Sequence, residues 1–478
     1  MAPLKTDCPV RWQAIHNGQA IALQIQEKKI TFLQLDNQLL NLQIQLAEQI
    51  ILDSDQATIR LICIAKNGIE LVLLQLLCLR LGWIFCPLNP RFTDTEIQTR
   101  LAILNSDYCW IDQVNQHRLD TFNTLTLNFF EHENELTAAK ILKPLTIKSE
   151  QACNIIFTSG SSGFTKAIVH NYINHFFSAE GSQAVIPLTN DDHNLLSLPL
   201  FHIGGYATVI RTMIAGGCLH ITGSPLDFSL LKQHQITHLS LVSTQLKRLL
   251  SDVAFQSKQS NIKHILLGGS TFSDTLLTAL RSRGFQYHLS YGCTEMASQV
   301  ATSTNNTELK VLPYRQVRII NDEVYCRGET RCIGYFENNK ICLIAREEWL
   351  NIKDIGCIEN DVLHILGRKD RQFISGGENI IPEEIERVCL QHSTVEKVYI
   401  CPINDQQYGQ RVVAFVDFHT PSSTHFQQRC AVLESYLSTQ LTRFKRPDRY
   451  FQWPKESEHQ IKIPKQVFLA VLAKKGLF

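Results

Sequence analysis

Glycines, hydroxyl side chains and a lysine are concentrated at the end of residues 155–166, directly after Ile-Ile-Phe, an apolar run typical of a β-strand. The segment reads Ile-Ile-Phe-Thr-Ser-Gly-Ser-Ser-Gly-Phe-Thr-Lys. Glycines let backbone N–H groups face an anion, hydroxyls donate hydrogen bonds, and lysine adds a positive charge. We therefore predict a polyphosphate-binding loop, with a flexible linker as the alternative. Its candidate ATP-binding residues are Thr158, Ser159, Gly160, Ser161, Ser162, Gly163, Thr165 and Lys166.

The loop is not a Walker loop. Walker spacing requires glycine directly before the lysine and Ser or Thr directly after it. Thr165 precedes Lys166 in this chain, and Ala167 follows it. The phosphate-binding chemistry is therefore predicted on a different loop type.

Three later segments strengthen this interpretation. They are Ser-Tyr-Gly-Cys-Thr-Glu at 290–295, Gly-Arg-Lys-Asp at 367–370, and Ser-Gly-Gly-Glu-Asn-Ile-Ile-Pro-Glu-Glu-Ile-Glu at 375–386. Together with the loop, in this order, they resemble the adenylate-forming superfamily of acyl-CoA synthetases, luciferases and peptide-synthetase adenylation domains. Four ordered motifs are far more specific than any one of them.

The resemblance gives the 290–295 segment a role at the nucleotide. It implies that Glu295 ligates Mg²⁺, that Tyr291 stacks on adenine beside Gly292, and that Thr294 contacts the α-phosphate. A carboxylate suits this role because hard cations prefer oxygen ligands. The alternative for Glu295 is a solvated acid at a strand end, since most surface acids have no special function.

A second glycine pair follows the predicted strand 265–267. In the resembled family, the segment matching Gly268, Gly269 and Ser270 lies along the adenine and the acyl pocket. Glycines at a strand end let a flat ligand approach the backbone. An ordinary strand-to-helix turn is the alternative, because such turns also favour glycine.

Asp354, Arg368 and Asp370 match three further family positions. The resemblance implies that Asp354 accepts hydrogen bonds from the ribose hydroxyls and that Arg368 meets the ribose or phosphate. It implies that Asp370 is the hinge about which a small domain turns between half-reactions. The alternatives are an Arg368–Asp370 surface pair and an ordinary linker.

Two side chains are candidates for substrate contact: His202 for the acyl substrate or a phosphate, and Arg211 for the acyl substrate. His202 lies in Pro-Leu-Phe-His-Ile-Gly-Gly and resembles the family segment at the carboxylate pocket, although a lone histidine among apolar residues is more often structural. Arg211, farther along the same segment, is our candidate for a second substrate carboxylate. A structural ion pair is the alternative for Arg211.

The C-terminal region holds the candidate adenylation lysine. The resemblance favours Lys462, which precedes Ile463, and leaves Lys465 as the competitor. The family usually has glycine before this lysine, whereas Ile461 stands here. Two solvated lysines on a tail are the alternative.

Within the superfamily, segments 197–205, 291–298, 317–325 and 461–463 look like the 2-succinylbenzoate–CoA ligases of menaquinone biosynthesis. The resemblance implies an AMP-forming ligase that uses ATP and Mg²⁺ with coenzyme A as co-substrate. Another acyl- or aryl-CoA ligase, a stand-alone adenylation enzyme that loads a carrier protein, and a non-catalytic nucleotide-binding regulator are the alternatives.

Composition limits the other function classes. The chain has 478 residues, with 46 Lys and Arg against 45 Asp and Glu, so no global field would attract nucleic acid. The 15 cysteines are never in C-x-x-C spacing, which predicts neither a disulfide framework nor a zinc site. No signal-peptide pattern or transmembrane segment is evident. We expect a cytoplasmic enzyme whose partners are a small-molecule acid and CoA, with homo-oligomerisation left open.

The order of elements predicts the fold class. Strand-like and helical patterns alternate through the first 368 residues, which is typical of a layered α/β body with a parallel sheet. Mixed strands and helices follow in residues 369–478. We therefore predict a large α/β N-terminal domain at 1–368 and a small mobile α+β C-terminal domain at 369–478.

Overall fold

The computed structural model describes residues 3–50, 58–106, 108–116, 124–129, 142–159, 165–223, 226–270, 272–419, 426–454 and 465–477. The helices are α1 Pro9–His16, α2 Phe32–Gln49, α3 Ile69–Leu81, α4 Asp94–Leu104, α5 Tyr172–Gln183, α6 Ile203–Ala215, α7 Phe228–Gln233, α8 Ser243–Leu250, α9 Asp274–Ser282, α10 Pro382–Gln391, α11 Phe426–Gln440 and α12 Lys465–Lys474.

The strands begin with β1 Ile21–Ile25, β2 Lys28–Thr31, β3 Arg60–Ile64, β4 Ile84–Leu88, β5 Tyr108–Ile111, β6 Ala152–Ser159, β7 Thr165–Asn171, β8 His193–Leu195, β9 Cys218–Ile221, β10 His238–Leu241, β11 His264–Leu267, β12 Tyr287–Cys293 and β13 Ser298–Thr304. They continue with β14 Lys310–Val311, β15 Arg315–Ile320, β16 Glu323–Gly328, β17 Gly334–Glu337, β18 Lys340–Leu343, β19 Leu350–Glu359, β20 Val362–Arg368, β21 Phe373–Ser375, β22 Glu378–Ile380, β23 Val395–Asp405, β24 Gly409–Phe418 and β25 Arg449–Gln452.

Two large mixed sheets carry most of these strands. One has nine strands in the order β14-β13-β12-β11-β10-β8-β9-β1-β2, and the other has seven in the order β18-β17-β7-β6-β4-β3-β5. Their central neighbours are parallel, whereas hairpins such as β6–β7 and β12–β13 add antiparallel strands. The predicted α/β class is confirmed, but the sheets are mixed rather than purely parallel because these hairpins extend them.

Burial on both faces explains why the central strands are apolar. In β3, Leu61 and Cys63 join a core that includes residues of α2, α3 and α6, while Ile62 and Ile64 join a second core that includes residues of α4. Alternate residues of a strand face opposite sides, so helices must cover both faces of this sheet. Helix α3 is buried on nearly every side, as its apolar sequence predicts, and it ends at Gly82 with φ of 72°.

The described residues fall into two compact units. One lies within Met1–Gly269, Arg281–Val317 and Cys326–Leu350, and the other within Ser270–Leu280, Arg318–Tyr325 and Asn351–Phe478. The second unit therefore includes short stretches that precede residue 369 in the chain. A functional boundary between 368 and 369 stays a prediction.

The second unit has its own layered core. Strand β24 pairs with β23 and β25, and its residues alternate between two apolar clusters. Val412 and Val416 pack in a cluster with residues of α10 and α11, whereas Val413 and Phe415 pack with residues of α12. Helices thus cover both faces of this small sheet. Across the described part of the chain, no helix combines the length and apolar character needed to span a membrane.

Candidate active site

The predicted phosphate-binding loop joins the two strands of a hairpin. Strands β6 and β7 are antiparallel, and Thr158 pairs with Lys166 while Ser159 pairs with Thr165. Both ends of the loop are therefore fixed in one sheet. The predicted loop residues Gly160, Ser161, Ser162 and Gly163 lie outside the described residues.

Lys166 and Glu295 lie near the same two side chains. The Lys166 Nζ atom is 5.6 Å from the ring centroid of Tyr335. The pKa of Cys332 is raised to about 12, mainly by burial and then by the Glu295 carboxylate, whereas the positive charges of Arg331 and Lys166 act to lower it. Burial also raises the pKa of Tyr335, with contributions from Cys332 and Glu295. The fold thus collects a lysine and a half-buried carboxylate from distant motifs.

The backbone around Glu295 is held from the neighbouring sheet. The Thr294 carbonyl accepts a hydrogen bond from His170 Nε2 at 2.8 Å, and the Glu295 carbonyl accepts one from the Cys332 N–H at 2.7 Å. Burial lowers the pKa of His170 to about 4, so the ring is neutral and Nε2 carries its proton toward the carbonyl. Two donors therefore fix the turn that presents the carboxylate.

The residues after Glu295 adopt left-handed backbone conformations and are held by a second pair of donors. Ala297 has φ of 49° and Ser298 has φ of 99°, which is uncommon for residues with a Cβ. Ser178 Oγ donates to the Ala297 carbonyl at 2.6 Å, and Arg315 Nε donates to the Gln299 carbonyl at 2.7 Å. Such conformations persist where surrounding contacts over-determine them.

Glycines near this turn differ in what they do for the fold. A Cβ on Gly292 would lie 1.8 Å from the Ser298 carbonyl oxygen, so the close approach of β12 and β13 requires glycine. Gly269 has φ of 74°, a conformation that favours glycine. At Gly268, however, a Cβ would make only ordinary contacts, the nearest 3.8 Å from the Ser290 carbonyl oxygen. The fold itself therefore does not require glycine at 268.

The carboxyl ends of parallel strands bring several predicted segments to one sheet edge. Strands β8, β10, β11 and β12 are parallel neighbours in that order. The His202 segment follows β8, the glycine pair follows β11, and Tyr291 lies near the end of β12. Ligands in open α/β sheets bind outside the carboxyl ends of the strands. This edge is accordingly where an adenine and an acyl group could meet.

His202 occupies the N-cap position of α6 and is exposed. Its ring centroid is 4.8 Å from that of Phe201. The preceding segment is fixed by Asn67, whose amide donates to the Leu198 carbonyl at 2.8 Å and accepts from the Leu200 N–H at 2.9 Å. His202 is therefore not a core histidine, which was the structural alternative for it.

Arg211 is a half-buried cation on α6 that has no carboxylate partner among the described residues. Its Nε donates to the Ala207 carbonyl at 3.2 Å, and no acidic group forms an ion pair with it among the described residues. Burial lowers its pKa to about 10. It lines a small cavity together with Asn194, His238 and Ser240. An uncompensated guanidinium in this setting favours an anionic ligand.

Arg315 adds a second buried positive charge nearby. Its pKa is lowered to about 9, mainly by burial and then by Arg211. Arg315 also donates to the Pro313 carbonyl at 2.7 Å and to Ser178 Oγ at 3.2 Å. The donors of Arg315 thus go to uncharged oxygens. Its positive charge adds to that of Arg211.

The second unit contains the predicted ribose and hinge residues. Asp354 and Arg368 are cross-strand partners on β19 and β20. Arg368 forms ion pairs with Asp354 at 2.9 Å and with Asp370 at 3.1 Å. The Arg368–Asp370 pair therefore exists, but Arg368 also joins the buried Asp354. Asp370 lies in a short 3₁₀ turn at 369–371. Ser270, from the predicted adenine segment, is exposed.

The predicted adenylation lysine, Lys462, lies outside the described residues. The competing Lys465 is the first residue of α12. Helix α12 packs on the small sheet through Phe468 and Leu472. The roles of the two lysines stay predictions.

Comparisons with known proteins give a consistent result. The family model described as AMP-binding enzyme matches residues 10–331. A 2-succinylbenzoate–CoA ligase of Haemophilus influenzae is 34% identical over 86% of this chain and 87% of its own length. A variant of Escherichia coli MenE with bound OSB-AMS has a TM-score of 0.83 at 28% identity, covering 99% of both chains. MenE from Bacillus subtilis in complex with ATP and magnesium ion has a TM-score of 0.79 at 26% identity, covering 94% of this chain and 96% of its own.

Proposed function

Because the chain belongs to the AMP-binding enzyme family, we propose that it is an ATP-dependent 2-succinylbenzoate–CoA ligase of menaquinone biosynthesis. It forms an acyl-adenylate and then an acyl-CoA. One structural observation carries the assignment of a dicarboxylic substrate: Arg211 is half-buried and has no carboxylate partner in the described part of the chain. A substrate with a second carboxylate would supply that partner.

In the first half-reaction, a substrate carboxylate oxygen attacks the α-phosphorus of ATP, and the bond to the β-phosphate bridging oxygen breaks to release pyrophosphate. The nucleophile is already an anion, so no general base is needed. Repulsion between anions and alignment are the main obstacles. Lys166, the 158–165 loop and Lys462 are proposed to supply positive charge and hydrogen bonds to the phosphates.

The residues around Glu295 suit the binding of a magnesium ion. Glu295 offers a half-buried carboxylate in a turn whose carbonyls are held by other residues, so the side chain is well positioned. Magnesium usually takes one or two carboxylates together with substrate phosphates and water. When bound, it would offset the negative charge that builds up on the leaving pyrophosphate.

The nucleoside is assigned to further residues. Tyr291 is proposed to stack on adenine, with Gly268, Gly269, Ser270 and Gly292 beside it. Asp354 is proposed to accept hydrogen bonds from the ribose, and Arg368 to support it, since Arg368 already holds Asp354 at 2.9 Å. Thr294 and His202 are proposed to contact the α-phosphate and the reacting carboxylate.

In the second half-reaction, the CoA sulfur attacks the acyl carbon, the thiol proton leaves to solvent, and AMP departs. The proposal places a hinge at Asp370, so that residues 369–478 turn between the two steps. Lys462 would leave the site with that turn.

A cytoplasmic location and a homo-oligomeric state stay predictions. The cytoplasmic location is supported by the 15 cysteines, which all lie in described ranges and form no disulfide.

A panel of carboxylic acids tests the substrate. With Mg-ATP and CoA, we expect 2-succinylbenzoate to stimulate pyrophosphate release and to give an acyl-CoA that mass spectrometry detects. Fatty acids and simple benzoates should give little product. Stimulation by fatty acids without 2-succinylbenzoate would favour another acyl-CoA ligase, and adenylation without CoA-dependent turnover would favour a carrier-protein loading enzyme.

Alanine substitutions distinguish the two C-terminal lysines. Lys462→Ala should slow acyl-adenylate formation at least about tenfold, which corresponds to about 1.4 kcal/mol of transition-state stabilisation. Thioester formation from preformed acyl-adenylate should persist. Lys465→Ala is the matched control and should leave both steps near the unsubstituted rate. The opposite pattern in single-turnover measurements would assign the role to Lys465.

Alanine at Gly268 tests whether this glycine serves the ligand. Gly268→Ala should leave the free energy of unfolding unchanged, since its Cβ meets nothing closer than 3.8 Å, but should raise the KM for ATP at least about tenfold. Gly292→Ala is the comparison and should destabilise by about 1–3 kcal/mol through overpacking. Normal ATP kinetics in Gly268→Ala would support an ordinary strand-to-helix turn.

A further inference from the structure

Three potential metal ligands meet on one face of the nine-stranded sheet, away from the carboxyl edge. Strands β8 and β9 are parallel, and His193 pairs with Cys218 while Leu195 pairs with His220. Paired residues of neighbouring strands face the same side, and alternate residues of one strand do too. Sheet register therefore brings His193, Cys218 and His220 together, although no local sequence spacing reveals them.

The spacing between the sulfur and one imidazole nitrogen suits a first coordination shell. The ligand atoms of the three residues all lie within 4.8 Å of one another. His220 Nε2 is 3.5 Å from Cys218 Sγ and 2.7 Å from His193 Nδ1. Zinc–ligand bonds of about 2.0–2.1 Å to nitrogen and 2.3 Å to sulfur place tetrahedral ligand atoms about 3.3–3.6 Å apart. The sulfur–nitrogen pair already has that spacing, and the imidazoles would separate by roughly 0.6 Å.

The donor set selects the class of metal. Imidazole and thiolate together favour zinc and its neighbours among divalent transition metals, not Mg²⁺, which prefers oxygen. Burial lowers the pKa of both His193 and His220, and the neutral imidazole is the form that binds a metal ion. Burial raises the pKa of Cys218 to about 12, so a bound metal would have to displace the thiol proton.

An adjoining cavity leaves room for a fourth ligand. It has a volume of about 180 Å³ and is lined by Gln24, Glu27, His220, Gln233 and His234. A water molecule occupies about 30 Å³ of the liquid. The exposed Glu27 lies on the wall of this cavity, and the positive charge of Lys29 acts on Cys218. A site with three protein ligands and an open fourth position is accessible to water, unlike a closed structural site with four protein ligands.

We propose that His193, Cys218 and His220 bind one divalent transition-metal ion of the zinc class, with water from the adjoining cavity as the fourth ligand. This site is separate from Glu295 and from the proposed nucleotide chemistry. It does not depend on the ligase assignment.

Cobalt titration of the full-length, tag-free protein tests the site. We expect one Co²⁺ per chain, with the visible bands of a tetrahedral ion and a thiolate-to-cobalt charge-transfer band, and competition by Zn²⁺. Cys218→Ser should lose the charge-transfer band, and both Cys218→Ser and His220→Gln should bind at least about tenfold more weakly. Cys109→Ser, another buried strand cysteine, is the matched control and should bind normally.

Circular dichroism and thermal unfolding check the fold of each variant. The proposal is overturned by an absence of saturable 1:1 binding or by an unchanged spectrum in Cys218→Ser. None of these readouts depends on turnover, so their failure would leave the ligase proposal intact.

Discussion

Replacing Glu295 by glutamine is expected to slow acyl-adenylate formation at least about a hundredfold. Glutamine keeps the length of the side chain and one carbonyl oxygen, but it removes the negative charge that a hard cation requires. A hundredfold loss corresponds to about 2.7 kcal/mol, within the range of metal-assisted charge stabilisation. The measurement is pyrophosphate release with 2-succinylbenzoate over a range of Mg²⁺ concentrations. The concentration needed for half-maximal rate should rise in the variant.

Glu308→Gln is the matched control for this substitution. Glu308 is exposed and follows the next strand, so its replacement changes the net charge equally without touching the Glu295 turn. Its Mg²⁺ dependence should match that of the unsubstituted protein. If Glu295→Gln also kept the original Mg²⁺ dependence, Glu295 would be the solvated strand-end acid that the sequence left as the alternative.

The surroundings of Glu295 show which features of the site the sequence predicts and which it does not. The Tyr-Gly-Cys-Thr-Glu motif indicates which carboxylate to consider, but nothing in the sequence indicates what holds it. His170, Ser178 and Arg315 come from three separate elements and donate to carbonyls at 294, 297 and 299. Backbone acceptors are the same for every residue type, so such contacts leave no trace in local sequence patterns.

Local patterns worked well where local forces decide the structure. An apolar run followed by glycine is a local signal of a capped helix, and α3 ends in this way at Gly82, which is left-handed. The hairpin at 317–325 turns at Asn321 and Asp322, whose φ values of 50° and 62° are typical of that turn type. The antiparallel extensions of the two large sheets were not predicted, because strand pairing depends on contacts between residues far apart in the chain.

The contacts of Arg368 were predicted only in part. The sequence offered a ribose-binding role or a surface pair with Asp370, and Arg368 in fact joins Asp354 and Asp370 together. The Asp354 contact arises from cross-strand register, which sequence spacing cannot supply. Asn67 was likewise missed, since a single asparagine far upstream gives no indication that it fixes the His202 segment.

Arg211→Met should weaken catalysis only for substrates that carry the second carboxylate. Methionine retains an unbranched side chain and high helix propensity but removes the charge. A hydrogen bond to a charged group contributes about 1.5–3 kcal/mol, so kcat/KM for 2-succinylbenzoate should fall about 10- to 150-fold. Two analogues that each lack one carboxylate, 4-oxo-4-phenylbutanoate and 2-butanoylbenzoate, complete the comparison. The analogue that retains the reacting carboxylate should be used equally by Arg211→Met and the unsubstituted protein.

The stability of Arg211→Met separates a substrate-binding role from a structural one. Arg211 has no carboxylate partner among the described residues, and burial already lowers its pKa to about 10. Removing a partly buried, uncompensated charge should therefore leave the free energy of unfolding unchanged or raise it, whereas breaking a structural ion pair would lower it. Arg248→Met, at an exposed position of α8, is the control and should change neither stability nor kinetics. Equal losses with the dicarboxylate and its analogue, together with a lower free energy of unfolding, would assign Arg211 to the fold and leave the second carboxylate without its proposed partner.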